Sequence, residues 1–251
     1  MSSERQEHNM KSPWWGEHIH RYNIALTYVS DSDKILDIAC GNGFGSYMLS
    51  EKTNGIVVGA DISDETIRYC STKFLNQSVL EFKVIDGTNI PFEDKYFDTI
   101  VSFETIEHTT QYKKMVQEFY RVLKNKGVAL ISTPNIIVNT PEGVKLSKFH
   151  TQEFTYNELE FLLKEAFDDV EIYGQKYIRY NSKSFKNTIG KFVENILYTR
   201  GVRKIPLFIQ NKIMQLFINK DMYPLAEDFG LVKNKNEILK CKTFFAVCRK
   251  K

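Results

Sequence analysis

The sequence has little of several features that mark specialised classes of protein. It contains four cysteines among 251 residues and no C-x-x-C pair, which argues against a zinc site and against a disulfide framework. No apolar run approaches the roughly 20 residues of a transmembrane helix. The polar first eleven residues lack the apolar segment of a signal peptide. We therefore expect a cytoplasmic protein with buried thiols and no stable membrane insertion.

A strong excess of one charge is also absent. The chain carries 34 Lys and Arg against 31 Asp and Glu, a net charge of +3. Domains that bind nucleic acids usually present a clearly basic face, so we expect no nucleic-acid partner. Hydrophobic residues make up 42% and charged residues 26% of the chain. This composition is typical of globular domains and provides enough apolar residues for a full core.

Short apolar runs alternate with amphipathic segments in the first half of the chain. Five runs predict buried strands: residues 34–40, 55–61, 80–85, 97–103 and 127–133. The segments between them predict helices, and strands separated by helices form parallel sheets with right-handed crossovers. Two later runs, 169–173 and 243–248, predict two more strands. The sequence therefore predicts an α/β fold with a doubly wound, seven-stranded, mostly parallel sheet.

The segment 176–236 departs from this alternation. It is rich in basic and aromatic residues, is mostly helical in pattern, and lies before the last predicted strand. Its basic residues, such as Lys183 and Arg203, fit either a solvated helix face or a pocket for a phosphorylated ligand. The amphipathic stretch 206–218 fits a lid or a homodimer contact better than a membrane-surface helix, because its polar face has few positive charges.

Acidic residues mark the ends of three consecutive predicted strands. Asp37 lies inside the first strand, Asp61 ends the second and Asp86 ends the third. Ligands of open α/β sheets bind at the carboxyl ends of the strands, so these carboxylates favour a nucleoside-type ligand. A glycine-rich turn follows the first strand, but Ser46 occupies the third glycine position of the dinucleotide pattern G-x-G-x-x-G. This departure weakens the alternative of a nicotinamide-dependent oxidoreductase.

Five motifs in this order resemble those of the class I S-adenosylmethionine-dependent methyltransferases. The motifs are Ile35-Leu-Asp-Ile-Ala-Cys-Gly-Asn-Gly-Phe-Gly45, Gly59-Ala-Asp-Ile-Ser63, Asp86-Gly-Thr-Asn-Ile-Pro-Phe92, Lys95-Tyr-Phe-Asp-Thr-Ile-Val101 and Glu118-Phe-Tyr-Arg-Val-Leu-Lys124 with Gly127. The resemblance spans about residues 18–175. It implies the cofactor S-adenosyl-L-methionine, which leaves as S-adenosyl-L-homocysteine, and a last strand, 243–248, that is antiparallel to its neighbours.

The resemblance also assigns cofactor contacts to a set of residues at the strand ends and in the N-terminal region. They are Arg21, Tyr22, Asp37, Ala39, Gly41, Gly43, Asp61, Ile62, Asp86, Gly87, Thr88, Phe103 and Glu104. The run 17–22 resembles a helix that covers the cofactor, with Arg21 on the methionine carboxylate and Tyr22 over the sulfonium, where cation–π attraction is favourable. The implied organisation is a cofactor-covering helix in 1–30, a cofactor-binding α/β core in 31–175, a helical insertion or lid in 176–236 and the final strand in 237–251.

Three residues are candidates for the chemistry. Glu107 and His108 follow the fourth predicted strand, and His150 lies in the long loop after the fifth. A hydroxyl nucleophile needs a general base, and histidine is a frequent one because its pKa lies near neutrality. Local packing of the two loops explains these residues equally well, so both interpretations stay open. No metal is expected, because the five histidines show no ligand spacing with carboxylates.

The overall layout resembles small bacterial methyltransferases of sugar and surface-glycan pathways, such as capsular polysaccharide or lipopolysaccharide synthesis. That resemblance implies methylation of a hydroxyl on a sugar or nucleotide-linked sugar, and therefore a small acceptor that is sugar-like or phosphorylated. N-methylation of an amino sugar or another small amine is the close alternative. A cofactor-binding subunit without turnover and a membrane-associated lipid methyltransferase are further alternatives.

Overall fold

The computed structural model describes residues 12, 14–140, 147–181, 185–199 and 206–251. These residues divide into two compact units. The first comprises Arg21–Lys176 and Leu231–Lys251, and the second comprises Tyr177–Gly230 with the described residues up to His20. No helix within the described ranges is long and apolar enough to cross a membrane.

One sheet of eight strands forms the framework of the described chain. The strands are β1 (Ile35–Ile38), β2 (Val57–Asp61), β3 (Leu80–Val84), β4 (Phe97–Phe103), β5 (Leu123–Pro134), β6 (Asp169–Tyr177), β7 (Phe229–Val232) and β8 (Thr243–Arg249). Their order is β3-β2-β1-β4-β5-β8-β6-β7. Strands β1 to β5 pair in parallel, whereas β8 is antiparallel to both β5 and β6. The predicted α/β class and its mostly parallel sheet are confirmed.

The prediction of seven strands is wrong by one. The additional strand, β7, lies within the segment 176–236, which the sequence pattern predicts to be helical. Its four residues are too few to give a period-two signal. It also lies at the edge of the sheet, where a strand needs a partner on one side only.

Nine helices occur in the described ranges, together with short 3₁₀ turns. They are α1 (Trp15–Ala25), α2 (Phe44–Ser50), α3 (Asp64–Lys73), α4 (Tyr112–Val122), α5 (Ile136–Asn139), α6 (Tyr156–Ala166), α7 (Phe185–Thr199), α8 (Leu207–Ile218) and α9 (Lys235–Ile238). Side-chain caps begin four of them, α3, α5, α6 and α9, because the first turn of a helix has unpaired N–H groups. Ser63 accepts a hydrogen bond from the Thr66 N–H, and Thr155 forms the predicted capping box with Glu158.

Helices bury both faces of the first unit's sheet, which explains its near-continuous apolar strands. On one face, Leu36 of β1 belongs to a cluster with Phe119 of α4 and Leu163 of α6. On the other face, Ile35 of β1 belongs to a cluster with Leu49 of α2. Successive residues of β1 thus point to opposite faces, as the two-residue period of a strand requires. Packing from both sides fixes the position of the turn that follows β1.

The second unit has its own small core. Leu197 of α7, Met214 of α8 and Met222 are buried against one another. Beside this core the buried guanidinium of Arg179 pairs with Asp228 at 3.0 Å and with Glu194 at 3.4 Å. The predicted basic positions Lys183 and Arg203 lie outside the described residues, as do residues 1–11 of the predicted N-terminal segment.

Candidate functional site

The turn after β1 leaves backbone exposed at the centre of the sheet. Ala39, Gly41 and Gly43 all have positive φ angles, of 60°, 57° and 75°. A Cβ atom at Gly43 would lie 2.8 Å from the Phe82 ring, so only glycine fits there. A Cβ atom at Gly41 would meet no atom within 4 Å. The turn is therefore packed on the Gly43 side and open on the Gly41 side.

The carboxylate of Asp37 links three elements behind this turn. It is buried in β1 and accepts a hydrogen bond of 2.6 Å from the Ser46 hydroxyl of α2. The Tyr22 hydroxyl of α1 donates to the same carboxylate at 3.1 Å. A Cβ atom at Gly45 would overlap the Tyr22 ring, so the ring lies directly against this glycine. Ser46, which breaks the dinucleotide pattern, is thus a hydrogen-bond donor to Asp37.

Burial dominates the protonation of Asp37. It raises the pKa of the carboxyl from 3.8 to about 7. Hydrogen bonds from Ser46 and Tyr22 lower this pKa, and the nearby charge of Asp61 raises it. The group therefore changes its charge near neutral pH.

Two further carboxylates lie after neighbouring strands. Asp61 at the end of β2 accepts hydrogen bonds from the Gly41 N–H at 3.2 Å and from the Ser63 N–H at 2.9 Å. Asp86 is exposed and accepts from both the backbone and the hydroxyl of Thr88, at 2.8 and 2.9 Å. Asp61 thereby joins the end of β2 to the glycine turn of β1.

The predicted residues around β4 form a second polar group. Glu104 follows β4 with a φ of 52° and accepts a hydrogen bond of 2.7 Å from the Ser132 hydroxyl of β5. The buried Arg21 guanidinium lies 3.7 Å from the Glu104 carboxylate and donates to the Gln175 side chain at 2.8 Å. A positive φ costs free energy in residues other than glycine, so Ala39 and Glu104 place strained backbone at two adjacent strand ends.

The remaining predicted cofactor residues differ in exposure. Ile62, directly after Asp61, is 70% exposed. Gly87 and Thr88 are buried beside the exposed Asp86. Phe103 is buried and its ring meets the Tyr22 ring edge-on, with 5.1 Å between centroids. The structure thus places all thirteen predicted cofactor residues at the carboxyl ends of β1 to β4 or on the part of α1 that packs there.

The three candidate catalytic residues also lie together, although they are far apart in the sequence. Glu107 and His108 form a 3₁₀ turn after β4, and their carboxylate and imidazole atoms are 3.9 Å apart. The His150 ring meets the His108 ring edge-on, with 4.9 Å between centroids. Burial, followed by the charge of Glu104, raises the pKa of Glu107 well above its ordinary value.

Several polar partners of the site escape the sequence analysis. Ser132 holds Glu104, Thr133 donates to Glu107 at 2.9 Å, and Glu153 bonds the His150 ring at 2.7 Å. A signal was present for three of these residues. Ser132 and Thr133 are hydroxyl residues at the end of an apolar strand, and Glu153 is three residues from His150. Gln175, the hydrogen-bond partner of Arg21, had no such signal in the sequence.

Comparison with known proteins agrees with this arrangement. Residues 36–131, which run from the second residue of β1 into β5, match the family described as "Methyltransferase domain". Over this segment the chain is similar to S-adenosylmethionine-dependent methyltransferases, and it has their Rossmann-like α/β fold. A solved S-adenosylmethionine-dependent methyltransferase from Methanosarcina mazei is 25% identical and has a TM-score of 0.50. That similarity covers 62% of this chain and 89% of the other.

Curated relatives of this methyltransferase domain have several named activities. An S-adenosylmethionine-dependent methyltransferase of Mycolicibacterium smegmatis is 31% identical, over 55% of this chain and 52% of that protein. Phosphoethanolamine N-methyltransferase 1 of Arabidopsis thaliana is 32% identical, over 57% of this chain and 27% of that protein. Phthiotriol/phenolphthiotriol dimycocerosates methyltransferase 1 of Mycobacterium ulcerans is 31% identical, over 45% of this chain and 42% of that protein. The matches thus span about half or less of each relative.

The cofactor of the methyltransferase domain is S-adenosylmethionine, and the strand ends fit a ligand of this kind. The backbone at Gly41 faces open space, so an extended ligand can approach it without meeting a side chain. Ile62 offers an exposed apolar surface directly beside the carboxylate of Asp61. An apolar base and sugar hydroxyls fit these features.

The contact between Gly45 and Tyr22 gives a first prediction. Alanine favours a helix over glycine by about 1 kcal/mol, so Gly45→Ala would stabilise α2 if nothing opposed it. Because the new methyl group meets the Tyr22 ring, we expect Gly45→Ala instead to lower the free energy of unfolding by about 1–3 kcal/mol. In a Tyr22→Ala background the same substitution should be neutral or stabilising. Urea denaturation of the wild type, the two single variants and the double variant measures these free energies of unfolding. An equal effect of Gly45→Ala in both backgrounds would contradict the contact with Tyr22.

The raised pKa of Asp37 gives a second prediction. The folded chain keeps this proton up to a pH of about 7, whereas the unfolded chain loses it near 3.8. Between these values the folded state binds more protons, so stability falls as the pH rises. We expect the wild type to lose stability relative to Asp37→Asn between about pH 4 and pH 7, because the amide does not titrate. Urea denaturation of both proteins across this pH range measures the difference between their free energies of unfolding. If the stability of the wild type relative to Asp37→Asn stays constant or rises with pH, Asp37 is not a buried, protonated carboxyl.

Proposed function

We propose that the chain transfers a methyl group from S-adenosylmethionine to a hydroxyl of a small acceptor, a sugar or nucleotide-linked sugar. The observation that carries this proposal is the pairing of His150 with Glu153. The Nδ1 atom of His150 lies 2.7 Å from the Glu153 carboxylate, and both side chains are largely buried. A carboxylate that fixes an imidazole in this way orients it as a general base, which a hydroxyl nucleophile needs.

The strand-end residues have proposed roles in holding the cofactor. Asp61 accepts hydrogen bonds from the ribose hydroxyls, and the exposed Ile62 side chain packs on the adenine. Asp86 with Gly87 and Thr88 contacts the adenine edge. Asp37, Ala39, Gly41 and Gly43 would hold the methionine end, with Phe103 and Glu104 beside it. Arg21 and Tyr22 of α1 close this end, which is supported by the hydrogen bond of Tyr22 to Asp37.

The reaction needs alignment and the removal of one proton. When bound, S-adenosylmethionine supplies a methyl group on a positively charged sulfur, and its transfer to oxygen leaves S-adenosylhomocysteine. The residues of the chain hold the acceptor oxygen in line with that group, since positioning supplies much of the rate in such displacements. The proton of the acceptor hydroxyl passes to the imidazole of His150, whose positive charge Glu153 stabilises. His108 and Glu107 border the same position and complete the proposed catalytic group.

Methyl transfer to an amine is the second candidate. It is supported by the similarity to a phosphoethanolamine N-methyltransferase, a protein named for an amine acceptor. A neutral amine needs no base for its attack, so the His150–Glu153 pair favours the hydroxyl acceptor. A nicotinamide-dependent oxidoreductase is less well supported, because Ser46 replaces a glycine and binds Asp37. A surface-glycan pathway, a homodimer contact through 176–236 and a cytoplasmic location stay predictions.

A methyl-transfer assay tests the proposal. Purified protein with isotopically labelled S-adenosylmethionine should methylate members of a nucleotide-sugar panel and leave phosphoethanolamine unlabelled. We expect His150→Ala to lower kcat by about 10²–10⁴-fold, as for loss of a general base, and Glu153→Gln to lower it less. Glu160→Gln, at a half-buried glutamate on α6 that pairs with Lys164, is the matched control and should keep full activity. Labelling of amines alone, or full activity of His150→Ala, would overturn the hydroxyl-directed mechanism.

A further inference from the structure

Two segments of the chain bring three metal-ligating side chains to one place. Glu107 and His108 follow β4, and His150 precedes α6. One ligand atom from each residue lies within 4.8 Å of the others. The Thr151 N–H and hydroxyl both donate to the Glu107 carbonyl, at 2.8 and 3.0 Å. These hydrogen bonds hold the turn after β4 against the loop before α6. The backbone therefore keeps the three side chains close to one another.

The Glu107 carboxylate has an incomplete set of partners. Its Oε2 atom accepts a hydrogen bond of 2.9 Å from the Thr133 hydroxyl. Its Oε1 atom is buried and has no hydrogen-bond partner among the described residues. The Nε2 atom of His108 is 3.9 Å away, beyond hydrogen-bonding range. Buried carboxylate oxygens are normally hydrogen-bonded or bound to a metal, so this atom favours a cation as its partner.

Both imidazoles are oriented as metal ligands usually are. Nδ1 of His108 lies 2.9 Å from the Phe149 carbonyl, and Nδ1 of His150 lies 2.7 Å from the Glu153 carboxylate. A carbonyl and a carboxylate accept hydrogen bonds, so Nδ1 carries a proton in each ring, and the neutral form of each ring has its lone pair on Nε2. Metal-binding histidines typically donate their other N–H to such an acceptor, which fixes the tautomer and the ring orientation.

We propose that Glu107, His108 and His150 bind one divalent first-row transition-metal ion. Two imidazole nitrogens and one carboxylate favour zinc, iron or similar ions over magnesium and calcium, which prefer oxygen ligands. This inference departs from the expectation that the chain binds no metal. That expectation rests on spacing along the sequence, and the ligands come together only through the fold.

A metal ion at this position changes which group removes the proton of the acceptor hydroxyl. An ion lowers the pKa of an oxygen that binds to it, so a bound acceptor hydroxyl would lose its proton more easily. His150 would then serve as a ligand through Nε2, and its direct role as a base through the same atom would be excluded. This consequence rests on the proposed methyl transfer, whereas the binding of the ion itself does not.

Calorimetric titration with Zn²⁺ tests the site without measuring activity. Protein stripped with a chelator should bind one equivalent at a saturable site. We expect Glu107→Gln and His150→Ala each to weaken this binding by about tenfold or more. Two matched controls lie outside the cluster, Glu160→Gln for the carboxylate and His18→Ala for the imidazole, and both should bind Zn²⁺ as the wild type does. Circular dichroism checks that each variant is folded; if Glu107→Gln is not, His150→Ala decides the result.

The outcomes separate this proposal from the proposed function. Absence of Zn²⁺ binding, or equal binding by the wild type and the folded His150→Ala variant, would overturn the metal site. If the protein nevertheless methylates nucleotide sugars, the general-base mechanism stands without a metal. Conversely, Zn²⁺ binding that is lost in His150→Ala, in a protein without methyl transfer, would support the metal site and refute the proposed function.

Discussion

The hydrogen bonds of a single buried carboxylate hold the candidate site together. Asp37 lies in β1, where the Ser46 hydroxyl of α2 and the Tyr22 hydroxyl of α1 both donate to it. Burying a carboxylate costs free energy unless the group is hydrogen-bonded. The two hydroxyl donors must therefore stay within hydrogen-bonding distance of Asp37. The glycine turn is fixed between β1 and α2 by these bonds. The proposed cofactor-binding arrangement thus depends on one polar group placed in the centre of an apolar sheet.

The second half of the site depends on the connection between β4 and β5. Glu104 is held by Ser132 and Glu107 by Thr133, so two adjacent hydroxyl residues of β5 position two carboxylates that follow β4. The loop before α6 then adds His150 and Glu153 to the same place. Parallel strands make this possible, because their carboxyl ends lie at one edge of the sheet. The proposed cofactor residues and the proposed catalytic residues are therefore adjacent through Glu104 and Glu107.

The sequence predicts the framework well, because the relevant signals are local. Five apolar runs with glycine or acidic ends define β1 to β5, and the carboxylates of Asp37, Asp61 and Asp86 are conspicuous there. Signals that depend on tertiary contacts are missed. The strand β7 is too short to be periodic, and the proximity of His150 to Glu107 follows from the fold rather than from spacing. Ser46 is visible as an exception to the glycine pattern, but its role needs the position of Asp37.

The central claim is that the open strand ends bind S-adenosylmethionine, and calorimetry with S-adenosylhomocysteine tests it most directly. The account predicts saturable binding at one site, no binding of NAD, and affinity lowered about tenfold or more in Asp61→Ala, which loses hydrogen bonds of an ionised acceptor. Asp64→Ala, an exposed aspartate three residues later, should bind as the wild type does. Binding of NAD in place of S-adenosylhomocysteine, or binding unaffected by the folded Asp61→Ala variant, would contradict the account.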